Sequence, residues 1–174
     1  MANASEIDTA RVTGRRELHF ASIDDALAEA ERLVALERTG QIKCLGNWTC
    51  GQIFGHLATW GEYAYNGNPL KPPLIIKLIL RTMKRRFLYA PMKVGARIPK
   101  VQNGTLGTEP CNVEGGFNRY QKVMSRLKVV APTLPNVIFG PMTHDEWINM
   151  HLRHSEFHLS FLQPAAGPVN TAGA

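Results

Sequence analysis

THDEWINMHLRHSEFHLSFLQ, residues 143–163, carries four of the six histidines of a 174-residue chain. Wound as a helix, it sets Trp147, His151, His154, His158 and Phe161 on one stripe at spacing four, three, four, three. Ile148, Leu152, Leu159 and Leu162 fall on the adjoining stripe. Thr143 followed by Glu146 is the capping-box signature of a helix start. A helix with so broad an apolar face must bury it, so the stretch predicts the last member of a helical bundle.

Two more capping signatures lie upstream, Ser22 with Asp25 and Thr49 with Gln52. The first opens SIDDALAEAERLVALERTG, where Ile23, Leu27, Ala30, Leu33 and Val34 share a face and Gly40 can end the helix. The second opens TCGQIFGHLATWGEYAYNG, with Ile53, His56, Leu57, Trp60 and Ala64 at helical spacing despite two internal glycines. Residues 72–90 read as a shorter, basic amphipathic helix, and residues 113–130 as the third bundle helix, through Phe117, Tyr120, Val123, Met124 and Leu127. Between them, PMKVGARIPKVQNGTLGTEP has the Gly, Pro and Asn content of an ordered loop, long enough to wall a site. The fold class is therefore all-α: a four-helix bundle with an inserted short basic helix and a long loop between its second and third helices. No alternating strand pattern is visible, and β structure is not expected.

Composition agrees with one globular domain, at 44% hydrophobic and 20% charged residues. Residues 1–14 and 165–174 are expected to be flexible tails around a domain at 15–164. The N-terminus has no apolar signal segment, and Cys44, Cys50 and Cys111 form no CxxC pair, so reduced thiols in the cytoplasm are expected. The net charge of +6 is concentrated in KLILRTMKRRF, residues 77–87. That helix is too short and too charged to span a bilayer. Its basic side reads as a solvated face without the interleaved aromatics of a nucleic-acid platform, so no nucleic-acid partner is expected. An exposed apolar side of the same helix offers a homodimer contact.

His154 and His158 stand one turn apart on the face that turns inward. This is the spacing of HExxH, but Ser155 occupies the place of the glutamate base and Glu156 points away, so no protease of that kind is read. A third ligand is offered by His56, on the stripe Thr49, Ile53, His56, Trp60, Tyr63 of the second helix. One histidine from one helix and a pair from another can make a three-nitrogen site with open positions. Histidine on an apolar stripe is equally the mark of a hydrogen-bonded core residue, and both readings stand at this point. His151 is a candidate acid/base or site-lining residue, as are Glu62 and Tyr63 beside His56. Trp60, Trp147 and Phe161 are candidates for the pocket wall, while His19 and His144 are expected to be solvated.

NWTCGQIFGHLATW resembles the second-helix motif of the DinB/YfiT-like superfamily of metal-binding four-helix bundles, and LRHSEFHLSFL its last-helix motif. With RRELHFASIDDALAEAERL, KVGARIP and IFGPMTHDEWINMHLRHSEFHLSFL, the chain is similar to one uncharacterised subgroup over residues 15–164. The resemblance implies a divalent ion, zinc or nickel, on His56, His154 and His158, and a low-molecular-weight thiol in some members' chemistry. Two positions depart from the superfamily pattern: Phe157 stands where a histidine adjoins His158, and Phe161 where a glutamine follows, which implies a drier pocket.

Three neutral imidazoles leave a divalent charge unneutralised, so a water or thiol there is acidified and a substrate oxygen polarised. The expectation is a metal-dependent enzyme, a transferase, isomerase or hydrolase acting on a small molecule. Lys93, Arg97 and Lys100 of the loop and the basic helix would favour an anionic one. The alternative is a noncatalytic metal- or ligand-binding stress-response module.

Overall fold

The computed structural model describes residues 7–95 and 97–165, so of the tails expected at 1–14 and 165–174 the parts 1–6 and 166–174 lie outside the described residues, while Thr9–Arg11 form a single 3-10 turn. Six α-helices run in the order α1 (Ile23–Arg38), α2 (Cys50–Asn66), α3 (Leu74–Thr82), α4 (Lys84–Tyr89), α5 (Val113–Val129) and α6 (His144–Leu159) among these residues. All three capping boxes form, with each hydroxyl bonded to the third backbone N–H and the third side chain bonded back. They start α1, α2 and α6 at Ser22, Thr49 and Thr143 because each bond spans only three residues and needs no tertiary partner. The core gathers Leu33, Phe54, Leu57, Tyr120, Met124, Leu127, Leu152 and Leu159 from α1, α2, α5 and α6. The fold is mostly helical and compatible with a helical bundle.

The most extensive helix contact is between α2 and α5, and glycine makes it possible. A Cβ built on Gly51 would stand 2.1 Å from the Cys111 carbonyl oxygen, and one on Gly116 would stand 2.6 Å from the Gly51 carbonyl oxygen. The glycines of α2 weaken it as an isolated helix, yet they let the backbone of α5 and its leading turn lie directly on it.

Three expectations are corrected. The basic helix breaks at Met83 (φ −95°, ψ 5°) into α3 and α4. The break lets Leu88, 1% exposed, turn into the body while Lys84 pairs with Glu146 of α6 at 2.7 Å. The last helix ends at Leu159 rather than at residue 163, and Phe161 leaves its stripe. Arg15 donates to Ser160 Oγ and to the Phe157 carbonyl, and Arg16 to the Leu159 carbonyl, so two cations take up the carbonyl end of α6. The chain then enters β structure that the pattern did not announce: β1 (Ile42–Cys44) and β2 (Leu162–Pro164) pair antiparallel, with Lys43 opposite Gln163. Strands of three residues are too short to show an alternation. This ribbon joins the chain entering α2 to the chain leaving α6, which fixes the start of one histidine-bearing helix beside the end of the other.

Candidate metal centre

His56, His154 and His158 meet: their ligating nitrogens all lie within 4.8 Å of one another. His56 sits near the middle of α2, where burial of that face leaves it 1% exposed, while His154 and His158 occupy successive turns of α6 and keep some solvent contact. The Nδ1 of His56 lies 2.8 Å from the Leu106 carbonyl oxygen, which only accepts, so this ring nitrogen carries the proton. The lone pair is thereby left on Nε2, which faces His154 Nε2 at 3.2 Å. A backbone carbonyl behind a ring nitrogen is the usual way in which a metal-ligating histidine is oriented.

Two nitrogens about 2.0–2.1 Å from one tetrahedral ion lie roughly 3.3 Å apart, and the His56–His154 pair is already at that spacing. The electrostatics also fit a ligand set. Burial lowers the His56 pKa to about 4, against weaker opposing bonds to Leu106 and Gly107. His154 and His158 are held well below the ordinary histidine value, by burial first and then by the neighbouring imidazoles. All three are neutral near pH 7, the form that binds a metal. The residues present therefore fit a divalent ion.

Rings close the cluster on two sides. Trp60 lies 6.1 Å from His56 and 6.0 Å from His154 between ring centres, and its Nε1 donates to the same Leu106 carbonyl at 3.3 Å. Trp48, which periodicity could not single out because it precedes α2, stacks on His158 at 5.4 Å and 13° and lies 4.8 Å from His56. The long loop forms the wall behind His56. Gly107 (φ +73°) brings it so close to α2 that a Cβ there would stand 2.9 Å from Thr59 Cβ, and Leu106 is thereby held in place.

The other candidates are dispersed. His151 is 4% exposed, and burial lowers its pKa to about 4. It stacks on Trp147 at 6.1 Å, and both His151 Nε2 and Trp147 Nε1 are buried without a hydrogen-bond partner in the protein. Tyr63 packs edge-on against Trp60 at 6.1 Å. Glu62 is engaged at both carboxylate oxygens by Arg119, at 3.0 and 2.6 Å. Phe161 lies beyond the end of α6, with the Arg15 guanidinium 4.5 Å above its ring and 4.9 Å from that of Phe157. His19 is 76% exposed in its side chain. His144 is part-buried rather than solvated, because its Nε2 bonds the Leu127 carbonyl at the end of α5 at 2.6 Å. The cysteines are free.

Residues 12–165 match the family model described as a protein of unknown function, DUF1569. Among curated proteins and solved structures nothing matches the chain.

Proposed function

The chain belongs to the DUF1569 family, and on that premise we propose a divalent-metal protein of the DinB/YfiT-like kind, a metal-dependent enzyme acting on a small molecule in the cytoplasm. The observation that carries this reading is the convergence of three neutral histidine nitrogens within 4.8 Å, one of them aimed by the Leu106 carbonyl. His56, His154 and His158 would hold the ion, zinc or nickel, and Trp48 and Trp60 would restrict access to it. When bound, the ion supplies Lewis acidity toward a substrate oxygen or a thiol sulfur.

The chain's own groups set the rest. His56 is fixed in one tautomer, so its ring cannot turn away without losing the Leu106 bond. Arg15, through its place over Phe157 next to His158, leaves positive charge near the site. Lys93, Arg97 and Lys100 stand on the same loop as Leu106, which supports an anionic substrate. His151 lies one turn before His154 on α6, and an acid/base role for it would need a substrate group that reaches its buried, unpartnered Nε2. Transfer, isomerisation or hydrolysis are the reaction types consistent with these parts, with a low-molecular-weight thiol as co-substrate.

One observation favours a second reading, a noncatalytic binding module: Glu62 is engaged by Arg119, so it is not a free base. Elemental mass spectrometry on untagged protein tests both. Close to one ion per chain is expected, lost in folded His56→Ala and in His154→Ala/His158→Ala. Absence of metal after reconstitution with zinc and with nickel refutes the metal site, and a small molecule that binds the loaded protein but is never altered favours the second reading.

A further inference from the structure

Helix α3 shows its apolar stripe to solvent. A surface helix ordinarily buries its apolar stripe and shows its charges, but here Leu74 is 82% exposed, Ile75 68%, Leu78 65% and Ile79 52%, with Ile76 and Met83 also exposed. The more sheltered positions of the same helix are Lys77 and Leu80. Phe87 and Tyr89 of α4 extend the exposed apolar surface. Contiguous apolar surface of this kind marks a place where something docks.

Charge identifies the occupant. Between Glu62 and Glu109 the sequence has no acidic residue, while Lys71, Lys77, Arg81, Lys84, Arg85, Arg86, Lys93, Arg97 and Lys100 supply nine positive charges. The chain's net charge is +6, so the remaining residues sum to −3 and the whole positive excess belongs to this segment. Of these cations Lys84 is paired with Glu146, whereas Arg81 at the end of α3 and Arg85 and Arg86 at the start of α4 are exposed. A second copy seated on this face about a two-fold axis would bring like charges together. An anionic lipid surface takes both features at once, apolar side chains below the headgroups and cations among them.

We propose that α3, with the start of α4, is an interfacial anchor that lays the protein on an anionic bilayer surface. Leu74, Ile75, Leu78 and Ile79 insert at the headgroup boundary, and Arg81, Arg85 and Arg86 pair with lipid phosphates. No helix among the described residues is long and apolar enough to cross a membrane, so the attachment is in the plane of the interface. The proposal is independent of the metal site.

Flotation of the full chain with vesicles tests it, using phosphatidylcholine alone and an equal mixture of phosphatidylcholine and phosphatidylglycerol. Co-flotation with the anionic vesicles only is expected, and it should fall about tenfold or more as salt rises from about 0.1 M to about 1 M and the Debye length shrinks from about 10 Å to about 3 Å. Leu74→Gln/Ile75→Gln/Leu78→Gln/Ile79→Gln replaces solvent-exposed side chains, so its circular dichroism and metal content should match wild type while flotation is lost. Arg85→Gln/Arg86→Gln should weaken flotation and reduce its salt dependence. No flotation at low salt, or flotation untouched by the fourfold variant, overturns the proposal. So does a concentration-dependent dimer that the fourfold variant abolishes, because a second copy then covers the face.

Discussion

Gly51→Ala is the sharpest probe of how the helix that carries His56 is held. The new methyl carbon would sit 2.1 Å from the Cys111 carbonyl oxygen, 2.7 Å from the Asn112 carbonyl carbon and 2.8 Å from the Val113 nitrogen, all backbone. Ordinary contact begins at 3.4 Å, so the leading turn of α5 would have to retreat by about 1.3 Å. That turn is pinned by the Asn112 cap on Gly115 at 2.7 Å. Overpacking against backbone costs about 3 kcal/mol or more, and the gain in helix propensity returns about 1 kcal/mol, which leaves a net loss of about 2 kcal/mol at least. Gly55→Ala, one turn later, meets only the Cys111 side chain, with Cβ at 3.3 Å and Sγ at 3.6 Å. The same propensity gain there should keep its stability within about 1 kcal/mol of wild type. Urea unfolding followed by circular dichroism on both variants measures the contrast. Gly51→Ala as stable as wild type, or Gly55→Ala the more damaging of the two, would refute the close approach of α2 and α5.

The remaining predictions concern buried polar groups. In metal-free protein, His56 and His151 are lowered from 6.5 to about 4; the unfolded chain therefore binds protons below pH 6.5 that the folded chain does not, and stability present above pH 6.5 is lost as pH falls toward 4. At about 1.4 kcal/mol per pH unit this reaches up to about 3 kcal/mol per histidine, so denaturant midpoints should drop steeply across that window, and a flat profile would contradict it. Glu156→Gln removes the carboxylate that Arg153 holds at 2.6 Å while both side chains are under 10% exposed; leaving the guanidinium unpaired should destabilise by about 3–5 kcal/mol, checked by thermal unfolding. Tyr120 donates to Ser155 Oγ at 2.8 Å in the core, so Tyr120→Phe and Ser155→Ala should each lose about 1–2 kcal/mol and the double variant less than their sum, as a double-mutant cycle in urea would show.

Legibility in the sequence followed the range of each interaction. Ser22, Thr49 and Thr143 close capping boxes within three residues, and the apolar stripes of α1, α2, α5 and α6 repeat every three or four, so helix starts and faces could be read directly. His154 and His158 stand one turn apart on one face for the same reason, and the stripe that carries His56 marks it as inward-facing. The ends of elements were less legible. Arg15 and Arg16, more than 140 residues away in the chain, stop α6 before Phe161, and Met83 breaks the basic segment because Leu88 has a core to enter. The exposed apolar side expected of the basic helix is present on α3, but its extent was not legible, since periodicity gives the angle between stripes and not which of them meets the body.

What the sequence by itself determined, then, is a helical protein with three histidines on the inward faces of two helices, because backbone periodicity and hydrogen bonds between near neighbours are properties of local chain order. What only the tertiary structure decided is that these histidines converge: Leu106, 50 residues from His56, supplies the carbonyl that selects its tautomer, and Trp48 closes over His158. It also decided that Gly51 lies against the backbone of Cys111, Asn112 and Val113, and Gly116 against that of Gly51. Such contacts depend on how whole helices pack, and packing is resolved by excluded volume and burial across the entire chain rather than by any one stretch of it.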